Sequence, residues 1–174
     1  MDIKQSKMLK YTETQIVFEE IPNEITLAIN ISNCQHHCKG CYSPYLRENI
    51  GTELTEEELE RLINDNMGIT CVAFMGEGND VEALFRLGLM VKCEFDLKVA
   101  IYSGSEDLPE KFWWDFNYIK LGPYNEELGP INKPTTNQRL YEHYKGAIEN
   151  CAVVNGIRRE HWKDITEKFW RELV

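Results

Sequence analysis

The chain has 174 residues, of which 43% are apolar and 28% charged, with six cysteines and a formal net charge of −10. Those proportions fit one globular domain with a core that needs no disulfide staples, and exclude a fibrous or disordered protein. The negative charge opposes the clustered Lys and Arg that phosphate contacts require, so nucleic acid is not an expected partner. No run approaches the roughly 20 apolar residues of a spanning helix, and the opening MDIKQSKMLK is too polar for a secretion signal, so a cytoplasmic protein without a membrane partner is expected. In a reducing compartment, clustered cysteines serve as ligands or catalysts rather than as disulfides.

In chain order, residues 15–20 (QIVFEE) and 25–31 (ITLAINI) are rich in β-branched side chains and predict two strands about a turn at Pro22-Asn23. A polar loop follows, and Thr55 with Glu58 forms a capping box that opens a helix over 55–66, ended by Gly68. The apolar run 69–75 (ITCVAFM) reads as a strand buried on both faces. A helix over 80–92, a strand over 97–102, a short Trp-rich helix over 109–115 and a strand over 117–121 continue the alternation, which implies a parallel sheet. Residues 122–141 are loop-like, with three prolines and two glycines, and long enough to cover a site. The last segment, 157–173, places Trp162, Ile165, Phe169, Trp170 and Leu173 on one face of an amphipathic helix.

Cys34, Cys38 and Cys41 form C-x3-C-x2-C directly after a predicted strand, with Gly40 easing the turn. Thiolates suit iron-sulfur clusters, zinc or copper, and three of them leave one metal position open, as catalytic sites do. A structural zinc completed by His36, His37 or His143 is the alternative from spacing alone. Cys71 in a buried strand, Cys93 at a helix end and isolated Cys151 suggest neither a second cluster nor a disulfide. Glu19, Glu20 and the acids at 55–60 read as surface charge.

With CQHHCKGCYSPYL at 34–46, AFMGEG at 73–78, YSG at 102–104 and KLGPYNEELGPINKPTTNQRLY at 120–141 in this order, the sequence resembles the radical S-adenosylmethionine enzymes, specifically the activating proteins of anaerobic ribonucleoside-triphosphate reductase. The resemblance covers about residues 8–144. It implies a 4Fe-4S cluster on Cys34, Cys38 and Cys41 that chelates S-adenosylmethionine and cleaves it to a 5'-deoxyadenosyl radical. That radical takes hydrogen from a glycine of the reductase, with flavodoxin or ferredoxin as electron donor. It further implies cofactor contacts at Gly40, Cys41 and Tyr42, at Gly76, Glu77 and Gly78, and at Ser103, which would meet the ribose. The family's glycine pair followed by an acid here reads Gly76-Glu77-Gly78-Asn79-Asp80, so either Glu77 replaces the second glycine or one residue is inserted. The late Asn137-Gln138 pair also matches.

The fold expected is a single α/β domain, an incomplete (β/α) barrel with a mainly parallel sheet of the radical S-adenosylmethionine type. Its divisions are a flexible segment over 1–10, a core over 11–144 and a helical extension over 145–174. The expected function is a glycyl-radical activase for the reductase. Activation of another glycyl-radical enzyme, of the formate-lyase type, and a non-enzymatic zinc-binding adaptor are the alternatives.

Overall fold

A computed structural model describes residues 7–170 of the chain. It begins with a hairpin of β1 (Lys10–Val17) and β2 (Thr26–Ile31), turned through Asn23 at positive φ. A short 3-10 turn, Pro44–Arg47, precedes the two-residue strand β3 (Thr52–Glu53), which pairs with β1. Three strand-helix alternations follow: α1 (Glu56–Asn64), β4 (Cys71–Met75), α2 (Val81–Phe95), β5 (Lys98–Tyr102), α3 (Glu110–Asp115) and β6 (Tyr118–Leu121). The chain closes with β7 (Arg139–His143), a small hairpin of β8 (Ala152–Val154) and β9 (Ile157–Arg159), β10 (Trp162–Asp164) and a 3-10 turn at Thr166–Phe169.

The main sheet has eight strands in the order β10-β7-β6-β5-β4-β2-β1-β3. The pairs β2–β4, β4–β5 and β5–β6 are parallel, whereas β1–β2, β1–β3, β6–β7 and β7–β10 are antiparallel. Each parallel strand is added beside the last, always on the same side. Right-handed crossovers then put every helix on one face of the sheet. There Leu59, Leu62, Leu84, Leu87, Val91 and Phe112 pack onto Ile29, Phe74, Ile101 and Ile119. The opposite face carries the smaller side chains Cys71, Ala73 and Ala100, covered by Ile21, Ile165 and Phe169.

This architecture corrects the expected incomplete (β/α) barrel. The sheet is open and mixed, with β10 and β3 as its two edges, and among the described residues only three helices cross between strands. The physical reason lies in the two connections that carry no helix. The β1–β2 turn and the 122–138 loop both return the chain antiparallel, which stops parallel winding on either side of the four central strands.

The helix starts follow their sequences in part. The Thr55 hydroxyl accepts from Glu58 N at 3.1 Å, but the Glu58 carboxylate turns to Arg61 and Tyr11 instead of completing the box. Asp80 caps α2 by accepting from Ala83 N at 3.0 Å. β1 lies upstream of the expected 15–20 because its alternating polar residues at 10–14 sit on a half-exposed strand.

The expected C-terminal helical extension is also corrected. Residues 157–169 form strands and a 3-10 turn, with Trp162 only 3% exposed and its ring 5.0 Å edge-on from Trp113. Spacing found the buried residues Trp162 and Ile165 but not their backbone, since Gly156 at positive φ opens a hairpin there. Leu173 lies outside the described residues. So do residues 1–6 of the expected flexible segment, whereas Leu9 and Lys10 belong to the fold: Leu9 is buried and its carbonyl accepts from Leu54 N at 2.9 Å. Among the described residues no helix is long and apolar enough to cross a membrane.

Candidate functional site

The cysteine loop leaves β2 at the carboxyl edge of the parallel strands, the edge where ligands of parallel α/β sheets gather. Its neck is closed by backbone bonds from Asn33 N to Glu48 O at 3.0 Å and from Cys34 N to Leu46 O at 2.8 Å. Inside, Cys41 N donates to Cys38 O at 3.3 Å across a turn in which Gly40 adopts φ +73°. Arg47 Nη2 donates to the Cys38 carbonyl at 2.8 Å, Ser43 N donates to Cys41 Sγ at 3.4 Å, and Cys34 Sγ donates to His36 O at 3.8 Å. All three thiols are free and half-buried. Burial raises the Cys34 pKa above its ordinary value; the His36 carbonyl bond opposes this, and neighbouring Cys38, Cys41 and Glu77 add to it.

Three soft donors on one loop suit an iron-sulfur cluster, which takes one thiolate at each of separate irons. Among the described residues, no three His, Cys, Asp or Glu side chains converge to hold a single metal ion.

On the helix-free face, Asn30, Met75, Tyr102 and Lys120 lie side by side in register across the four parallel strands. Lys120 is the functional candidate that sequence reasoning missed. Burial pushes its pKa down to about 8, against the attraction of Glu20 and Cys38. Among the described residues its ammonium has only the Tyr102 ring as partner, 4.8 Å from the centroid. The available signal was a lysine inside the otherwise apolar run YIKL. Glu20, expected as surface charge, lies at this face: Tyr102 Oη donates to its carbonyl.

The structure brings several predicted residues together. Gly76 and Gly78 both adopt positive φ where the chain leaves β4, and Glu77 between them accepts from Ser103 Oγ at the end of β5. Ser103 is therefore already engaged by protein. Tyr42 is 76% exposed and tilts against Tyr124 of the late loop, with ring centroids 5.3 Å apart. Lys39 and Glu126 approach to 3.9 Å beside them, so the late loop lies against the cysteine loop. Asn137 and Gln138 serve that loop's own base, donating to Pro123 O at 3.0 Å and Gly122 O at 3.3 Å. His37 is exposed and His143 sits beside Trp162, away from the cysteines. Cys71 is buried on β4, Cys93 is exposed and Cys151 is half-buried near Arg158. Compared with family models, with curated proteins and with solved structures, the chain matches none of them.

Proposed function

We propose that this chain is a radical S-adenosylmethionine activase of anaerobic ribonucleoside-triphosphate reductase, with a 4Fe-4S cluster on Cys34, Cys38 and Cys41 and flavodoxin or ferredoxin as electron donor. The observation that carries the reading is the set of three half-buried thiols on one pinned loop at the carboxyl edge of adjacent parallel strands. Bound there, the cluster and S-adenosylmethionine would supply reductive cleavage to methionine and a 5'-deoxyadenosyl radical that takes hydrogen from a glycine of the reductase.

The chain's own residues have narrower tasks. The neck at 33–34 and 46–48 and the Arg47 bond hold the thiol-bearing turns in place. Lys120, which has no carboxylate in ion-pair contact among the described residues, offers a carboxylate such as that of a bound amino acid a charge-assisted hydrogen bond. The Tyr42 and Tyr124 rings pack together where the late loop meets the cysteine loop.

The test is anaerobic reconstitution with iron and sulfide, then addition of dithionite and S-adenosylmethionine, beside a Cys38→Ala control. About four irons per chain and cysteine-dependent 5'-deoxyadenosine are expected. A protein that stays colourless and takes up one zinc instead refutes the reading.

A further inference from the structure

Glu77 joins three separate segments through one carboxylate that is only 13% exposed. Ser103 Oγ donates to Oε1, while Ser105 Oγ donates to Oε2 at 3.4 Å and His36 Nε2 stands 3.4 Å from the same oxygen. Ser105 N also donates to Ser103 Oγ at 2.9 Å, which fixes the pair of hydroxyls. The His36 ring is seated against Gly104, where an added Cβ would stand 2.7 Å from its Cδ2. The end of β4, the turn after β5 and the first half of the cysteine loop are thus tied at one point.

His36 in turn presents the main-chain carbonyl to which Cys34 Sγ donates at 3.8 Å. The second half of the loop is held by other means, Arg47 on the Cys38 carbonyl and Ser43 N on Cys41 Sγ. Anchoring of Cys34 is therefore separable from anchoring of Cys41.

We propose that Glu77 is a positioning residue for Cys34: by seating His36 against Gly104, it fixes the carbonyl that orients the protonated Cys34 thiol of the metal-free protein. Glu77 is the residue that departs from the glycine pair implied by the resemblance, and in this chain it binds the cysteine loop to the sheet. The inference deepens the proposed function and rests on it only for what Cys34 holds.

The experiment uses the full chain, reduced and treated with chelator, and follows iodoacetamide alkylation of each cysteine by peptide mass. The variants are Glu77→Gln, His36→Ala, Gly104→Ala and the Glu77→Gln/His36→Ala double. Gly104→Ala displaces the His36 ring without touching Glu77. Each single variant is expected to speed Cys34 alkylation about fivefold, the factor for losing one neutral hydrogen bond. Cys41 should keep its wild-type rate, and the double variant should be no faster than either single, since both act on one contact. An unchanged Cys34 rate in Glu77→Gln and Gly104→Ala overturns the proposal. So does equal acceleration of all three loop cysteines with a lowered melting temperature, which signals general loosening. Failure of the wild type to assemble a cluster would instead count against the proposed function and leave these rates as they are.

Discussion

Replacing Lys120 by Met should make this protein more stable and less able to bind an anionic ligand. Methionine is close to lysine in length and adaptable in packing, so the change removes mainly the buried charge. The fall in the Lys120 pKa from an ordinary 10.5 to about 8 has burial as its largest cause. At ~1.4 kcal/mol per tenfold change in proton affinity, holding the cation in the fold costs on the order of 3 kcal/mol. The sign follows from the depressed pKa. Below pH 8 both folded and unfolded chains are protonated and the full cost stands; between about 8 and 10.5 the folded chain releases its proton first and the cost fades. Lys120→Met should therefore raise the melting temperature at pH 7 by about 6–12 °C for a chain of this length. That advantage should shrink as pH rises toward 10.5. Thermal unfolding of both proteins at pH 7, 8.5 and 10 measures it, with other titrations cancelling in the difference. A variant less stable than wild type at pH 7, or an advantage independent of pH, would refute the reasoning.

Two further substitutions probe the rest of the frame. Trp162→Ala removes a ring packed on Trp113 and His143 and leaves the Trp113 carbonyl without its 2.9 Å donor, so a loss of about 3–5 kcal/mol is expected by urea denaturation. A loss below about 1 kcal/mol would mean that β10 contributes little to the core. Thr55→Ala deletes the acceptor for Glu58 N and should cost about 1 kcal/mol, read as a lower urea midpoint with an unchanged slope.

The central layer was legible because its signals are local. Apolar runs such as CVAFM and KVAIY name buried strands without ambiguity, and turn residues separate them from helices. Strand direction at the margins was not, because it depends on whether a connection contains a helix. The 122–138 loop reads as irregular, yet its outcome, an antiparallel β7, rests on ties such as Gln138 to Gly122 O that no periodicity encodes. The C-terminal misreading has a similar cause: spacing that suits one helical face also places Trp162 and Ile165 inward from a strand and the turn after it. At the site, the cysteines announced themselves by type and spacing. Lys120 and the joining of His36 to Glu77 did not, since the first depends on β5 and β6 lying in register and the second brings together residues 41 positions apart.

The two ends of the sheet differ in how charge is treated. At the carboxyl ends Lys120 is half-buried with no carboxylate in ion-pair contact among the described residues, whereas near the amino ends the buried Glu24 is fully engaged. Its carboxylate accepts from Lys98 Nζ, from Thr70 Oγ1 at 2.6 Å and from Tyr118 Oη at 2.8 Å. Burial alone would raise the Glu24 pKa, but these bonds outweigh it and hold the carboxyl below its ordinary 4.5. A folded-state pKa below the unfolded one contributes stability that is present above about pH 4.5 and lost as pH falls through the folded value. Glu24→Gln should thus cost about 2–3 kcal/mol at pH 7, where charge-assisted bonds become neutral ones, and progressively less below pH 4.5. Urea midpoints of both proteins at pH 7, 5, 4 and 3 test this. A gap that widens on acidification would show that the carboxylate is tolerated there rather than stabilising. A gap that closes would place a polar anchor of the fold at the amino ends of the sheet.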